Sequence, residues 1–290
     1  MSANKTGAGF MILAMGAFAL EDSFFKAATQ LTSVSSALIS FGLMGLVIFA
    51  SLSLRAGEAV WHPACLKRTM LIRSAFELMG RLFFGLALAH APLSSTSAIL
   101  QAAPIVVTLG AIFIFGEAVG WRRWIAMALG FLGVLVVIRP GFDSFQITSL
   151  YALLATIGFA GRDLATRASP PAMSTAQLGS LGFAVLTVAG LLLSALESTV
   201  PSLPTGQSLL LTAGAAIVGV LAYASLTRAM RAGDVGFVAP YRYTRLVFAL
   251  LIAFTVFGER PDPLTLLGAT IIVLAGLYSF SRARSAGSGQ

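Results

Sequence analysis

The sequence predicts an all-α membrane protein with ten transmembrane helices, arranged as two inverted five-helix repeats. Of the 290 residues, 57% are hydrophobic and 10% are charged, and the mean hydropathy is +0.90. This composition is too apolar for a soluble domain of the same length. The apolar segments lack the alternating pattern of a membrane β-barrel. Because only helices and closed barrels satisfy their backbone groups in lipid, helices are expected throughout.

Ten apolar segments are long enough, or nearly so, to cross a hydrocarbon core about 30 Å thick. They cover residues 8–27, 34–54, 69–89, 93–115, 121–138, 148–167, 175–196, 208–230, 234–257 and 263–282. Lys and Arg collect in alternate connections, above all between Arg55 and Arg68. Because cytoplasmic loops carry this excess, both termini are expected in the cytoplasm. The net charge of +8 is explained in the same way, so no nucleic-acid partner is predicted.

The two halves of the chain share a pattern. The stretch from Phe18 to Lys26 aligns with that from Phe159 to Arg167 at an offset of 141, and the pair at 116–117 returns at 258–259. Because each half has five spans, the second enters the membrane from the opposite face. We therefore predict repeats at residues 1–141 and 142–290 that form one membrane domain. Glu117 and Glu259 follow glycines at helix ends and are predicted to anchor loops.

The chain resembles the drug/metabolite transporter superfamily, and within it a ten-helix member of the EamA family. The resemblance lies in Asp22 and Lys26, in the run 91–98 followed by Pro104, and in the blocks 116–124 and 130–141 with their echoes at 258–262 and 268–277. It implies secondary transport of small metabolites across the bacterial inner membrane, often as export. The second half departs from the pattern, since Leu246 stands where a partner of Pro104 would fall and Pro240 comes six positions earlier.

The ninth segment carries Arg242 and Arg245 well inside its apolar run. At 1.5 Å per residue they lie roughly 12 and 16 Å into the hydrocarbon core. A charge at the bilayer centre costs about 2.5–3.5 kcal/mol, so these side chains should face a bundle interior or a wet cavity. A guanidinium forks onto a carboxylate or phosphate, and Tyr241, one helical turn from Arg245, adds a hydroxyl. We predict that all three contact a solute; neutralisation by buried acids is the alternative.

The third segment carries Arg73, Glu77 and Arg81 at successive i, i+4 spacings, so the three side chains share one helix face. A structural salt-bridge ladder is one interpretation, and it is the favoured one for Arg73. Arg81 lies nearly as deep as Arg245, and for it a solute contact and a buried structural pair remain equally open. Gln101 in the fourth segment is a further predicted solute contact.

Acidic residues in both halves are predicted to act in gating or proton coupling: Glu21, Asp22, Glu77 and Asp163. In an inverted repeat, the cluster before Lys26 and the cluster before Arg167 would lie toward opposite membrane faces, where ion pairs part alternately. Static pairing is the alternative. Since burial raises the pKa of a carboxyl group, protons are a candidate coupling ion.

The balance of deep charges favours an anionic solute group. With Arg73 included, five arginines face four acids, and a carboxylate or phosphate would fill the surplus. Amino acids or amino-acid derivatives fit both this surplus and the family. The sequence leaves open a non-transporting membrane subunit that binds a lipid or partner protein, and either a monomer or a homodimer.

Several sequence signals of other functions are missing. There is no G-x-x-x-x-G-K-[ST] or G-x-S-x-G motif, and the two histidines, His62 and His90, lie in or near loops. The single cysteine, Cys65, excludes a multi-cysteine metal site. We therefore predict neither an enzyme nor an ATP-driven pump, and no metal or cofactor.

Overall fold

The computed structural model describes residues 2–116, 120–139, 146–167, 173–198, 200–202, 204–232 and 235–287. These residues form twelve α-helices and no strand. The helices are α1 Ser2–Thr29, α2 Val34–Arg55, α3 Arg68–His90, α4 Leu93–Leu100, α5 Ala103–Phe115, α6 Trp121–Ile138, α7 Ser149–Arg167, α8 Thr175–Leu196, α9 Gly206–Ala232, α10 Val235–Val238, α11 Thr244–Thr255 and α12 Pro263–Gly287. Two 3₁₀ helices, Pro63–Leu66 and Ala239–Tyr243, complete the described part.

The ten predicted crossings are all present, eight as single helices and two as broken ones. Five spans are long and apolar enough to cross a membrane by length and composition: Ala3–Thr29, Val34–Arg55, Leu93–Phe115, Thr175–Leu196 and Gly206–Met230. Shorter apolar helices cover Trp124–Ile138 and Pro263–Tyr278. α3 and α7 are continuous helices, but charged side chains interrupt their apolar sequences. Several of these charged residues line the central cavity described below.

Both broken crossings contain a proline at the break. Pro104 stands near the start of α5 and has no N–H to donate to the carbonyl of Leu100, so α4 ends there. In the ninth segment, Pro240 is the second residue of the 3₁₀ helix Ala239–Tyr243, which separates α10 from α11, so the expectation of one continuous helix over 234–257 is wrong. The two breaks meet, since the Gln101 side-chain amide donates to the Arg242 carbonyl at 3.3 Å.

The two halves of the chain are interleaved. α1 packs along α9, α2 along α8, α3 along α7 and α6 along α12, while α4 meets α11. Every one of these pairs joins one helix from each half, and α1 with α9 corresponds to α7 with α3 when the halves are exchanged. This arrangement is the one that an inverted repeat produces. The predicted boundary between residues 141 and 142 lies outside the described residues.

Contacts between helix ends distinguish the two faces of the bundle. We call the side on which α1 begins and α12 ends the terminal face, and the opposite side the distal face. At the distal face, Arg139 at the end of α6 pairs with Asp262 just before α12. At the terminal face, Glu58 after α2 accepts a hydrogen bond from Ser174 before α8. These contacts join helix ends that ten successive crossings place on the same side.

A close backbone approach brings α3 and α7 together. A Cβ added at Gly158 would lie 2.5 Å from the backbone nitrogen of Gly80 and 2.6 Å from its Cα. No side chain larger than hydrogen fits there, because real Cβ atoms do not approach backbone so closely. Small residues at a helix contact allow backbones to pack in this way in membranes. The approach brings Arg81 and Arg162, on the same two helices, to one cavity.

Candidate functional site

A cavity of about 360 Å³ lies between the two halves, at the level of the two helix breaks. Its walls come from α1, α3, α4, α5, α7 and α9, and from the segment 242–245. The polar side chains that line it are Glu21, Asp22, Arg73, Arg81, Gln101, Arg162, Asp163, Thr166, Tyr223, Thr227, Arg242, Tyr243 and Arg245. A volume of this size falls in the range of small-molecule sites.

The cavity extends toward the terminal face. Thr166 near the end of α7 and Met230 near the end of α9 line it on that side, and Thr166 is exposed. Toward the distal face the lining stops at the level of Asp22. Beyond it, Phe25 and Leu88 are 3% and 1% exposed. The cavity therefore extends closer to the terminal face than to the distal face.

An ion pair lies on the distal side of the cavity, and we call Lys26 and Glu259 the distal latch. Lys26 Nζ lies 3.9 Å from Glu259 Oε1 and donates to two carbonyl oxygens around the end of α3, at 3.0 and 2.7 Å. Glu259 also accepts hydrogen bonds from the backbone N–H groups of Leu93 and Ser94, at 2.7 and 3.0 Å. It thus anchors its loop to the start of α4. Glu117, its counterpart in the first half, lies outside the described residues.

Glu77 is the centre of the arginine cluster on α3 and α7. Its side chain is 2% exposed, and its carboxylate lies 2.8 Å from Arg73, 3.9 Å from Arg81 and 3.7 Å from Arg162. Arg81 also lies 3.7 Å from Glu21. One carboxylate therefore faces three guanidinium groups. The spacing on α3 indicated the Arg73 and Arg81 contacts, whereas Arg162 arrives from the other half of the chain.

Arg245 is bound by one ion pair and two aromatic contacts. Its guanidinium pairs with Asp22, with nitrogen–oxygen distances of 2.6 and 3.3 Å, and Asp22 is 2% exposed. The rings of Phe18 and Phe84 lie 5.1 and 5.6 Å from the guanidinium carbon, close enough for cation–π attraction. Arg245 lines the cavity, but its charge and its flat faces are already engaged by the protein.

Arg242 is the most open of the arginines in the cavity wall. Its side chain is 35% exposed, and its acidic neighbour, Asp163, is 32% exposed at a distance of 3.8 Å. Its Nε atom is buried and has no hydrogen-bond partner within the described part of the chain. Asp163 is held more tightly by Arg162, at 2.8 Å. A solute can therefore approach Arg242 without breaking a short ion pair.

Tyr243, and not Tyr241, lines the cavity. Tyr241 packs against Phe237, with ring centroids 5.9 Å apart, in a cluster that includes Met11 on α1. A continuous α-helix would put Tyr241 on the same face as Arg245, but the 3₁₀ turn after Pro240 changes which residues share a face. The proline was the sequence signal of this change. Tyr223 on α9 was also missed as a lining residue, because nothing in its sequence setting distinguishes it.

The acidic clusters of the two halves face one cavity. Glu21 and Asp22 on α1 line it together with Arg162 and Asp163 on α7. The expectation that the clusters lie toward opposite faces is therefore not met, because both reach the centre of the bundle, where the repeats cross. The base that follows the first cluster, Lys26, does lie at the distal face. The side chain of Arg167, its counterpart, lies outside the described residues.

Five arginines and three acids line the cavity, and a fourth acid, Glu77, lies directly behind them. The arginines are residues 73, 81, 162, 242 and 245, and the acids are Glu21, Asp22, Glu77 and Asp163. When all of these side chains are ionised, this part of the protein carries one net positive charge. The surplus predicted from the sequence is thus concentrated around a single cavity.

Comparisons with known proteins give a consistent result. The sequence profile of the EamA-like transporter family matches residues 5–139 and again residues 146–281. The riboflavin transporter of Vibrio cholerae is 29% identical over 281 residues, which is 93% of this chain and 91% of the relative. The S-adenosylmethionine uptake transporter of Rickettsia prowazekii is 30% identical over 203 residues, or 68% of each chain.

More distant similarities extend over nearly the whole chain. The pseudopaline exporter CntI of Pseudomonas aeruginosa is 25% identical over 272 residues, covering 93% of this chain and 94% of the exporter. A crystal structure of a protein with 19% sequence identity superposes with a TM-score of 0.63 over 98% of both chains. That last likeness concerns the fold alone.

Proposed function

The chain belongs to the EamA-like transporter family, and on that premise we propose that this membrane protein is a secondary transporter of a small organic metabolite with a carboxylate group. Amino acids and amino-acid derivatives are the proposed class, moved by alternating access and without ATP. The observation that carries the proposal is the cavity of about 360 Å³, which together with the neighbouring Glu77 contains one more guanidinium group than carboxylates.

Arg242 is the proposed contact for the solute carboxylate. It is the most exposed arginine in the lining, and its ion pair with Asp163 is long, at 3.8 Å. A guanidinium offers two parallel N–H donors to a carboxylate, a geometry that an exposed Arg242 can present. Asp163 next to it would face a cationic group of the same solute. A zwitterionic compound would thus replace the long Arg242–Asp163 pair with two shorter contacts.

The relatives are named for small organic compounds, one of which fits the proposed class of solute. Their names give riboflavin, S-adenosylmethionine and pseudopaline as the compounds they move. S-adenosylmethionine is itself an amino-acid derivative with a carboxylate and an ammonium group. The three names cover both uptake and export. We propose export as the direction, and this rests on the family resemblance and not on the site.

The buried acids are proposed to couple solute movement to protons. Glu21 Oε2 has no hydrogen-bond partner within the described residues, and its ion pair with Arg81 is long, at 3.7 Å. Asp22, in contrast, is bound tightly to Arg245. Glu21 is therefore the acid whose protonation would break the fewest contacts. Dissipating a proton gradient across protein-containing vesicles should change solute flux if this coupling exists.

Flux measurements with matched variants test the proposed site. Purified protein in lipid vesicles is presented with zwitterionic, anionic and cationic metabolites, and saturable uptake is measured for wild type, Arg242→Gln and Arg228→Gln. Arg228 is an exposed arginine on α9 outside the cavity lining, so the control variant loses the same charge elsewhere. We expect carboxylate-bearing compounds to be moved by the wild type and by Arg228→Gln, and to lose saturable flux in Arg242→Gln. Equal flux in all three proteins would contradict the assignment of Arg242.

The orientation is proposed to place the terminal face in the cytoplasm, as the loop charges indicate. Cys65, the single cysteine, lies in the connection between α2 and α3 on that face and is partly exposed. A membrane-impermeant thiol reagent should label it in whole cells only after the membrane is permeabilised. Labelling of Cys65 in intact cells would reverse the orientation.

A further inference from the structure

Tyr243 borders the cavity, and the hydroxyl end of its side chain packs against α12 at Gly276. The residue is 5% exposed. A Cβ added at Gly276 would lie 1.5 Å from the Tyr243 hydroxyl oxygen and 2.3 Å from Cζ. Gly276 has no left-handed backbone conformation, so its local backbone geometry does not require glycine. The reason for glycine at this position is therefore the space that the tyrosine occupies.

We propose that Gly276 is a positioning residue that sets the width of the solute cavity through Tyr243. With glycine at this position, the phenol ring stays within the wall of the cavity. With a larger side chain, the hydroxyl loses its place against α12 and the ring must move. The proposal rests on the proposed role of the cavity as the solute site, and it assigns to Gly276 the upper limit on solute size.

Among the described residues, the open direction for the Tyr243 ring is toward the cavity. The backbone around it is fixed, because Gln101 donates to the Arg242 carbonyl and the Thr244 hydroxyl donates to the Tyr241 carbonyl at 2.7 Å. α12 cannot retreat either, since a Cβ at Gly268 would already lie 2.7 Å from a backbone oxygen of α6. The open space that Tyr243 borders is the cavity itself. A larger residue at position 276 would therefore narrow the cavity at the level of Arg242.

Thiol labelling tests the proposal without a known solute. Cys65 is replaced by serine, and a new cysteine is placed at Leu100, which lines the cavity at the break after α4. Its modification is timed with a small reagent, methyl methanethiosulfonate, and with a bulky biotinylated methanethiosulfonate. In Gly276→Ala we expect the labelling rate with the bulky reagent to fall by about tenfold relative to the rate with the small one. The reason is that the displaced Tyr243 ring narrows the path of the larger reagent.

Three further variants show whether the effect passes through Tyr243. Adding Tyr243→Ala to Gly276→Ala should restore labelling by the bulky reagent. Tyr243→Ala alone should raise its rate above that of the parent protein. Gly9→Ala is the matched control, because a Cβ at Gly9 meets no atom within 4 Å. Its ratio of bulky to small labelling should be unchanged.

The outcomes are decisive in either direction. If Gly276→Ala keeps the parent ratio of labelling rates, or if the double variant fails to recover it, Gly276 does not act through Tyr243. If Gly276→Ala does not fold, the test is Tyr243→Ala by itself. A labelling rate with the bulky reagent equal to that of the parent protein would then overturn the proposal. Loss of solute flux in Arg242→Gln is a separate result, so the failure of one proposal leaves the other standing.

Discussion

Two arginines three positions apart should respond in opposite ways to the same substitution. Arg245→Gln removes the partner of Asp22, which is 2% exposed and lies 2.6 Å from the guanidinium. Arg242→Gln removes a side chain that is 35% exposed and lies 3.8 Å from Asp163. We expect the first variant to lose stability but to keep the proposed solute contact at Arg242. The second should stay folded and lose solute binding.

The two expected magnitudes follow from burial. Breaking a buried ion pair by removing one partner costs about 3–5 kcal/mol, because the remaining charge stays buried without compensation. An exposed or loosely paired charge contributes about 0–1 kcal/mol. The variants should therefore differ by roughly 3 kcal/mol in stability, or about a hundredfold in the equilibrium between folded and unfolded protein. Replacing Asp22 by asparagine in the Arg245→Gln protein removes the stranded charge and should restore most of the loss.

Thermal unfolding of the purified proteins in detergent measures these differences, with and without a bound metabolite. A saturating ligand at about 100 times its dissociation constant adds roughly 2.7 kcal/mol to the folded state, so a retained binding site is visible as a shift. Unfolding of Arg245→Gln at the wild-type temperature would show that Asp22 does not depend on this ion pair. A double variant no more stable than Arg245→Gln would show that the loss does not come from an uncompensated Asp22.

Three further changes test other parts of the structure. Lys26→Met removes one side of the distal latch, so a cysteine at Leu186, which is 1% exposed, should be labelled faster by an impermeant reagent added at the distal face. Gly158→Leu places a side chain against the backbone of α3 and should lower the unfolding temperature, since overpacking costs about 1–3 kcal/mol or more. Partial burial opposes ionisation of Asp262, but hydrogen bonds from Thr265 and Arg139 outweigh it, and its pKa lies below the ordinary value of 3.8. The stability that Asp262 contributes is therefore present above pH 3.8 and is lost as the pH falls through its pKa in the folded protein, and Asp262→Asn should lack this step in thermal unfolding.

Each of these expectations has its own control. Unchanged labelling at position 186 in Lys26→Met would show that the latch does not hold the distal side closed. Gly9→Leu lies where an added Cβ meets nothing, and it should unfold close to the wild-type temperature; an equal loss in both glycine variants would contradict the α3–α7 argument. For Asp262, the same acid dependence in wild type and Asp262→Asn would assign the effect to other groups.

The sequence by itself determined the helical class, the ten crossings and their inverted pairing. Each of these depends on local composition, since a run of about 20 apolar residues must be helical in lipid and an odd number of crossings reverses the second half. It also indicated which arginines would lie deep in the bundle. The depth of Arg81, Arg242 and Arg245 follows from counting along a span, and all three line the cavity.

The tertiary structure decided which charge meets which, and where the helices break. Asp22 binds Arg245 across 223 positions, and Lys26 meets Glu259 instead of the nearby Asp22. Pairings of this kind depend on which helices cross, and spacing along the chain does not contain that information. The same holds for Tyr243, which replaces Tyr241 in the cavity wall because Pro240 and the contact with Gln101 end the regular helix. Local periodicity assumes an unbroken helix, so it placed the wrong tyrosine beside the arginines.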